Sequence, residues 1–261
     1  MAYTFISGAT GGVGKAFCFE CASRGYNLFL TGRSEDKLSA LKNEILSKFN
    51  VEINFCACDL TSESDRQNMV DYIAKNKLSF DRIIMVAGVD IQKAFVDYTL
   101  DKVLFQMRVN CEATIALTHS LLLFREDSLE LLVISSMSGA TPMPYFALYS
   151  ATKAMLTNFY SALHYELKKD GVKVSVVMPG GIYTRPDIVE DIIGQGIWGK
   201  LSAKSPEFVA KKSLKAVRKN KIKYIPGFFN KFLFVATKML PKKLVLTFIA
   251  RRWKKQTKDA F

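Results

Sequence analysis

Short apolar runs alternate along this chain with longer segments in which apolar residues recur every three or four positions. The runs are β-branched and have the length of strands, whereas the longer segments have the period of an α-helix. The predicted strands cover residues 2–6, 27–31, 51–56, 81–86, 129–135 and 172–178. The predicted helices cover residues 12–24, 35–49, 62–76, 99–124 and 149–169. This alternation predicts a parallel sheet with helices on both faces.

The predicted fold class is α/β, with a single Rossmann-type, doubly wound parallel sheet of about seven strands in the order 3-2-1-4-5-6-7. Ligands of such sheets bind beyond the carboxyl ends of the strands. We expect one domain over residues 1–261, with a cofactor-binding and catalytic core at 1–180. A substrate lid is predicted at 181–204 and an amphipathic helical extension at 226–255.

The pattern changes after Pro179 and becomes typical of a mobile lid over a substrate site. The elements predicted there are a glycine-punctuated loop at 194–199, a helix at 205–219 and a short strand at 222–225. Residues 228–253 are apolar, aromatic and basic, and Pro241 divides them into two predicted amphipathic helices.

Composition narrows the class of protein. With 261 residues, 49% of them hydrophobic, the chain is large enough to close one core. Its first residues are apolar but lack the basic stretch of a secretion signal, so we expect the mature protein to start there. Lys and Arg interrupt every apolar region before it reaches the roughly 18 residues of a membrane span, which predicts a soluble protein.

The five cysteines are an odd number without a secretion signal, which favours reduced thiols and a cytoplasmic location. Cys18 and Cys21 could in principle form a zinc site with Cys56 and Cys58. The first pair lies on a predicted helix and the second alternates across a predicted strand. We therefore interpret them as small buried side chains and predict no metal site.

The formal net charge is +13, and the excess of basic residues is concentrated after Lys200. No zinc finger or recognition-helix motif accompanies the charge, so nucleic-acid binding is not predicted. A basic face could instead attract an anionic cofactor, an acidic carrier or thioester, or anionic lipid headgroups.

A glycine-rich turn, residues 8–14, lies between the first predicted strand and the first predicted helix. Small residues there let the backbone approach a pyrophosphate, and the helix N-terminus offers free N–H groups. The cofactor-binding residues predicted in this turn are Gly8, Thr10, Gly12, Val13 and Gly14. The alternative is a tight strand-to-helix turn without a ligand.

The ends of the next two strands indicate which nucleotide binds. The second strand ends at Arg33, without the acidic residue that would bind the ribose hydroxyls of NAD. A guanidinium in this place could bind a 2′-phosphate, so NADP(H) is favoured, although Arg33 could also be a solvated residue at a helix start. Asp59, followed by Leu60, could accept a hydrogen bond from the adenine amino group or cap the next helix.

Tyr149 and Lys153 are four residues apart on a long predicted helix and therefore lie on one face. A tyrosine has a pKa of about 10, and an adjacent ammonium stabilises its phenolate, which suits the pair for acid–base chemistry. Ser136 lies at the end of the fifth predicted strand, where its hydroxyl could hydrogen-bond a substrate oxygen.

In these motifs the sequence resembles the short-chain dehydrogenase/reductase family, over at least residues 3–185. The matching positions are Ser7 to Gly14 for the glycine turn, Asp59-Leu60, Ala87-Gly88 after the fourth strand, Asn110, Ser136, Tyr149 to Lys153, and Pro179-Gly180 followed by Ile182 and Thr184. One position departs from the pattern, because Val86 stands where the family has an asparagine that braces the central sheet.

The resemblance implies roles for four catalytic residues. Tyr149 would donate a proton to a carbonyl oxygen or remove one from an alcohol, and Lys153 would lower its pKa and bind the nicotinamide ribose. Ser136 would polarise the substrate oxygen, and Asn110 would position a water that relays protons to Lys153. Ala87, Gly88, Pro179, Gly180, Ile182 and Thr184 would contact the cofactor.

A hydrophobic substrate is predicted from apolar residues on both sides of this centre. The proposed substrate contacts are Ser136, Met143, Tyr145, Tyr149, Tyr183 and Trp198, with Phe146, Ile182, Ile192, Ile193 and Ile197 as further pocket residues. Each of these apolar residues could equally belong to the core.

The C-terminal segment resembles hydroxysteroid and long-chain 3-oxoacyl reductases, so a ketone on a steroid or similar lipid is the first substrate hypothesis. A 3-oxoacyl thioester is the second, and a catalytically silent NADP-binding sensor or assembly subunit is the alternative from another class.

The resemblance also implies a homodimer or homotetramer through the helices near 99–124 and 149–169. The basic C-terminal helices could touch a membrane or a partner, or merely complete the fold.

Overall fold

The computed structural model describes residues 2–194 and 196–254. Met1, Gln195 in the predicted loop and residue 255 at the end of the predicted extension lie outside the described residues.

Seven parallel strands form one sheet. They are β1 (Ala2–Ile6), β2 (Asn27–Gly32), β3 (Ile53–Ala57), β4 (Ser79–Met85), β5 (Arg125–Ile134), β6 (Val172–Val177) and β7 (Lys223–Tyr224). Their order in the sheet is β3-β2-β1-β4-β5-β6-β7, and every neighbouring pair is parallel. The predicted doubly wound sheet and its strand order are confirmed.

Helices flank the sheet and extend beyond it. They are α1 (Gly12–Ala22), α2 (Glu35–Leu46), α3 (Glu63–Lys75), α4 (Leu100–Met107), α5 (Ala113–Leu121), α6 (Ala147–Glu166), α7 (Pro186–Gly194), α8 (Gly196–Ser202), α9 (Pro206–Arg218), α10 (Phe228–Met239) and α11 (Lys242–Trp253). Side-chain caps define several starts: Ser34, Ser62, Thr99 and Ser205 each accept a hydrogen bond from a backbone N–H in the first turn.

Two buried layers lie on opposite faces of the sheet. Phe5, Phe29 and Phe80 belong to one layer, where the rings of Phe5 and Phe29 stack with centroids 5.7 Å apart and Phe80 meets both edge-on. The next residue of β1, Ile6, belongs to the other layer, because successive side chains of a strand point to opposite faces. The central strands are therefore buried on both sides, as their continuous apolar runs predicted.

Two local predictions were wrong in detail. The helix predicted at 99–124 is interrupted, because a π-helical turn at Arg108–Glu112 separates α4 from α5. The loop predicted at 194–199 is largely helical, since α8 starts at Gly196. Its glycines have low helix propensity, but Trp198 packs against Phe229 of α10, with ring centroids 5.6 Å apart, and this tertiary contact overrides the local preference.

The C-terminal helices follow the prediction, because Pro241 separates α10 from α11. Within residues 2–194 and 196–254, no helix has the length and apolar character required to cross a membrane. In the same residues the five thiols are free, and no group of three or more potential metal ligands comes together.

Candidate active site

One cavity of about 1120 Å³ opens at the edge of the sheet where the parallel strands end. The residues that follow β1, β2, β3, β4, β5 and β6 all contribute to its wall. Side chains of α7, α8, α10 and α11 form the opposite wall. The cavity therefore lies where a doubly wound sheet binds its ligand.

The glycine turn packs too closely for side chains. Gly8 has a φ of +62°, and a Cβ there would come within 3.0 Å of the Cα of Ala87. A Cβ on Gly12 would lie 3.0 Å from the Cβ of Thr184, and one on Gly14 would overlap the carbonyl oxygen of Gly8. The first turn of α1 contains no acidic residue, so its N–H groups face the cavity without a competing carboxylate. This turn fits a pyrophosphate.

Thr10, Val13, Arg33, Asp59 and Leu60 also line this end of the cavity. Arg33 is exposed beside the turn, and the neighbouring Ser34, not Arg33, caps α2. The hypothesis that Asp59 caps the next helix is wrong, because Ser62 caps α3. Instead, the Asp59 carboxylate accepts hydrogen bonds from the backbone N–H and the hydroxyl of Thr61, at 2.9 and 2.8 Å.

The structure shows which side chain joins the central strands when Val86 replaces the asparagine of the family. The hydroxyl of Ser7 accepts hydrogen bonds from the backbone N–H groups of Val86 and Ala87, at 3.0 and 3.2 Å. These bonds tie the end of β1 to the end of β4. The hydroxyl of Ser7 thus joins these two central strands, although position 86 holds valine and not the asparagine of the family.

The four predicted catalytic side chains lie at the centre of the cavity region, and three of them line it directly: Ser136, Tyr149 and Lys153. Lys153 is only 3% exposed, and its Nζ donates to the carbonyl oxygen of Ile134 at 3.0 Å. A Cβ on Gly88 would lie 3.1 Å from this Nζ and 3.3 Å from Oδ1 of Asn110. A larger residue at position 88 would therefore require the lysine or the asparagine to shift by a few tenths of an ångström.

Asn110 owes its position to the π-helical turn. An extra residue in a helical turn redirects the side chains that follow, and such turns occur frequently at functional sites. Asn110 is fully buried; its Oδ1 accepts from the N–H of Val89 at 2.8 Å, while Nδ2 donates to the Val89 carbonyl at 2.9 Å and to the Thr152 hydroxyl at 3.1 Å. Asn110 therefore links the end of β4 to the catalytic helix α6.

The segment between β5 and α6 holds Ser136 in place. Ser136 caps a short helical turn by accepting from the N–H of Ser138 at 3.1 Å. Ser150 of α6 donates to the carbonyl oxygens of Ser138 and Thr141, at 2.7 and 3.1 Å. Gly139 lies against the backbone of Lys153, where a Cβ would come within 2.7 Å. These contacts hold the serine hydroxyl and the Tyr149 phenol on the same side of the cavity.

The electrostatics differ from the expectation that Lys153 lowers the pKa of Tyr149. Burial raises the pKa of Tyr149, the negative charge of Asp90 raises it further, and a hydrogen bond with Ser136 only partly offsets both. Burial also lowers the pKa of Lys153 to about 8. For both side chains, removal from water therefore shifts the pKa more than any neighbouring charge does. In this state the tyrosine is protonated, which is the form that can donate a proton.

Only some of the residues predicted to contact substrate line the cavity. Met143, Phe146, Ile182, Ile192 and Trp198 line the cavity. Tyr183 does not belong to the lining, because alternate residues of an extended segment face opposite sides and the cavity receives its neighbours Ile182 and Thr184. Tyr145, Ile193 and Ile197 also lie outside the lining; Tyr145 occupies a left-handed turn with φ +63°, and the two isoleucines are exposed on their helices.

Sequence reasoning missed several residues of this site. Asp90 and Arg185 line the cavity, with a carboxylate oxygen of Asp90 3.9 Å from a guanidinium nitrogen of Arg185. No sequence motif indicated either residue. Asn230 is 1% exposed and donates to the carbonyl oxygens of Ser202 and Pro226, both at 2.8 Å. Its side-chain amide also lies against Gly180. Asn230 of α10 therefore contacts both the end of α8 and the turn after β6.

Aromatic rings connect the C-terminal helix to the catalytic tyrosine. Phe146 stacks on Tyr149 with centroids 4.4 Å apart, and Trp253 of α11 stacks on Phe146 at 5.5 Å. The amphipathic pattern predicted α11, but only the tertiary structure shows that its last residue reaches the catalytic centre.

The fold and the site together define a class of protein: a nucleotide-dependent oxidoreductase with a tyrosine–lysine acid–base pair. The sequence matches the short chain dehydrogenase family over residues 2–190. This chain belongs to that family, whose members bind a nicotinamide cofactor and act as oxidoreductases on CH–OH and C=O groups.

The chain is similar to the very-long-chain 3-oxoacyl-CoA reductase of Bos taurus, with 31% identity over 223 residues that cover 82% of this chain and 68% of the bovine protein. It spans 60–68% of the length of the vertebrate relatives with this name.

Two solved structures share the fold. A 7β-hydroxysteroid dehydrogenase superposes with a TM-score of 0.83 and 25% identity, covering 95% of this chain and 96% of that one. The L-sorbose reductase of Gluconobacter frateurii, solved with NADPH and L-sorbose, has a TM-score of 0.78 and 21% identity, covering 87% of this chain and 95% of that one.

Proposed function

We propose that this protein reduces a ketone on a hydrophobic lipid, with NADPH as the reductant. The observation that carries the proposal is that one cavity joins Ser136, Tyr149 and Lys153 to a long apolar wall from α10 and α11. The similarity to 3-oxoacyl-CoA reductases makes a long-chain 3-oxoacyl thioester the first substrate class. A hydroxysteroid is the second, supported by the likeness to the 7β-hydroxysteroid dehydrogenase.

The residues present divide the chemistry among them. When bound, the reduced nicotinamide supplies a hydride to the carbonyl carbon. Ser136 donates a hydrogen bond to the carbonyl oxygen, and Tyr149 transfers its phenolic proton to that oxygen as negative charge develops. Lys153, largely protonated below its pKa of about 8, stabilises the phenolate that remains. Asn110, which is fully buried and donates to the hydroxyl of Thr152, would position the water that relays a proton to Lys153.

A substrate panel tests the proposal. Purified protein would be mixed with NADPH and with 3-oxoacyl thioesters of increasing chain length, keto-steroids or small ketones, and oxidation of NADPH would be followed by absorbance. We expect turnover to rise with the size of the apolar group, and to disappear in Tyr149→Phe. Tight NADPH binding with no turnover on any substrate would contradict the proposal and favour the sensor hypothesis, which no observation in the site favours at present.

The cofactor preference has its own test at Arg33. The exposed guanidinium beside the glycine turn is suited to a 2′-phosphate, and a hydrogen-bonded ion of this kind contributes about 1.5–3 kcal/mol. Arg33→Gln should therefore weaken NADPH binding roughly 10- to 100-fold and leave NADH binding nearly unchanged. Equal losses for both cofactors would assign Arg33 to the structure of the turn instead.

We also propose a homodimer or homotetramer and a cytoplasmic location, with a C-terminal surface that contacts a membrane. The helices near the predicted oligomer interface expose apolar side chains, including Leu100, Leu104, Met107 and Tyr165. Light scattering during size-exclusion chromatography tests the assembly, and Leu104→Glu should shift it toward the monomer. A monomeric wild-type protein at all concentrations would contradict this assignment.

A further inference from the structure

The C-terminal helices carry an apolar face that points outward. Phe228 is 88% exposed and Met239 is 80% exposed, whereas such residues are ordinarily buried. The outward-facing side chains used in this argument are Phe228, Phe232, Met239, Leu240, Leu244 and Phe248. On α10 they recur at helical spacing, and a contiguous exposed apolar surface of this kind marks an interaction site. We call it the C-terminal face.

The C-terminal face borders the entrance to the substrate cavity. Phe232, Leu240, Leu244 and Phe248 are each more than half exposed, yet each also lines the cavity. A side chain that does both lies at the boundary between cavity and surface. Trp198 of α8, which is 49% exposed and packs against Phe229 of α10, also lines the cavity. The apolar face is therefore continuous with the mouth of the cavity.

The charged residues of α10 and α11 all have one sign. Exposed basic side chains flank the apolar residues: Lys231, Lys238, Lys242, Lys243, Arg251 and Lys254. The sequence contains no Asp or Glu between Phe208 and Lys258. A second copy of the same face would place these cations against each other without a carboxylate to neutralise them. An anionic surface, in contrast, satisfies the apolar and the basic residues together.

We propose that the C-terminal face docks on the surface of an anionic lipid bilayer, so that the substrate cavity opens toward the lipid. The helices α10 and α11 have 12 residues each, about 18 Å, which is too short to cross a hydrocarbon core of about 30 Å. They therefore lie in the interface, with apolar side chains among the acyl chains and lysines at the headgroups. The docking itself is independent of catalysis, whereas passage of a lipid substrate into the cavity rests on the proposed function.

Sedimentation with vesicles tests the docking. The full-length protein would be mixed with vesicles of phosphatidylcholine alone or of phosphatidylcholine with phosphatidylglycerol. We expect binding to the anionic vesicles that weakens as salt is raised, and little binding to the neutral ones. No binding to the anionic vesicles would overturn the proposal, as would equal binding to both kinds.

Two pairs of substitutions separate the apolar from the basic contribution. Lys242→Gln with Lys243→Gln should weaken binding to anionic vesicles roughly tenfold or more. The matched control is Lys168→Gln with Lys169→Gln, an adjacent exposed pair that precedes β6, at the end of the sheet opposite the cavity. Phe228→Ser with Met239→Ser should weaken binding to a similar degree, with Leu46→Ser on α2 as its control.

Neither Phe228 nor Met239 lines the cavity, and both lysines are exposed, so melting temperatures should stay close to that of the wild type. If the apolar pair fails to fold, the lysine pair alone decides the test. Binding that survives in the lysine pair, or that falls equally in its control, would overturn the proposal. So would tight binding of the wild type to an acidic carrier protein in place of the anionic vesicles.

A second readout separates docking from the reaction. With a long-chain 3-oxoacyl substrate held in anionic vesicles, both docking variants should lose turnover by about the factor that they lose in binding. With a small soluble ketone they should match the wild type. A wild type that binds vesicles but turns over neither substrate would leave the docking standing and reject the reductase proposal. Equal loss on both substrates would reject passage from the bilayer.

Discussion

The two walls of the cavity are built in different ways. The wall at the ends of the strands holds its catalytic side chains by buried hydrogen bonds and by close packing against glycines, as at Gly88 beside Lys153 and Asn110. The wall from α10 and α11 presents apolar side chains, many of them more than half exposed. The first wall can place a reacting atom within a fraction of an ångström, while the second can accommodate apolar groups of many shapes.

The difference between the two walls indicates that one serves the reaction and the other serves substrate binding. Chemistry needs fixed distances, so changes in the strand-end wall should decide whether the reaction occurs. Apolar contact is nearly non-directional, so changes in the helical wall should decide which substrate reacts and how tightly it binds. Substitutions that change only the reaction rate or only substrate selection would support this division between the two walls. Substitutions that change both properties would contradict it.

The largest effect is expected at Tyr149. Tyr149→Phe removes the proton donor and should lower kcat about 10²- to 10⁴-fold, with little change in NADPH affinity. Stopped-flow turnover and fluorescence titration with NADPH measure the two properties. Tyr160→Phe on the same helix is the control: its buried hydroxyl bonds Thr118 and the carbonyl of Thr114, so it should lose stability but keep turnover. Equal turnover in the two variants would remove Tyr149 from the mechanism.

A smaller but still large effect is expected from a methyl group in the glycine turn. Gly14→Ala places a Cβ on the carbonyl oxygen of Gly8, and such overpacking costs about 1–3 kcal/mol. NADPH affinity should fall as well, because the turn must shift. Gly194→Ala at the end of α7 is the control, because nothing lies within 4 Å of the added Cβ. Urea unfolding of both variants measures the difference, and similar costs would contradict the comparison.

The pH dependence of stability reports on Lys153. The folded pKa is about 8 and the ordinary value is 10.5, so between these pH values the unfolded chain binds more protons and stability rises with pH. The slope is at most about 1.4 kcal/mol per pH unit. Lys153→Met should lack this rise. Buried thiols contribute an opposite slope to both proteins, so the difference between their urea unfolding curves isolates the lysine.

If wild type and Lys153→Met showed the same slope across this range, the lysine would be charged and solvated in the folded protein. Water would then reach Lys153 more freely than its burial and its hydrogen bond to Ile134 indicate.

The smallest effect is expected at Trp253. Trp253→Ala removes the outer ring of the stack on Phe146, a contact of about 0.5–1.5 kcal/mol. KM for a bulky ketone should change up to about tenfold, whereas a small ketone should be hardly affected. Trp253→Phe preserves a ring at this place and should stay close to the wild type. An equal change in KM for large and small ketones would show that Trp253 acts on the catalytic centre and not on substrate selection.

Much of the strand-end wall could be predicted from the sequence, because its residues are consecutive or regularly spaced. The glycine turn, the Tyr149 and Lys153 pair and the strand order all follow from local patterns. The direction of the Tyr149 pKa shift could not be predicted, because burial and the charge of Asp90 depend on the surrounding fold. The π-helical turn at Asn110 was missed for a similar reason, since its apolar spacing also suits a regular helix.

The sequence by itself determined the class of fold, the family and the positions of Ser136, Tyr149 and Lys153, because period, turn chemistry and motif spacing are properties of neighbouring residues. The tertiary structure alone decided that Trp253 reaches Phe146, that Asn230 joins α8 to α10, and that Tyr183 turns away from the cavity. These contacts join residues far apart in the chain, or depend on which face an extended segment presents. Local patterns predict that an apolar face will be covered, but only packing selects what covers it.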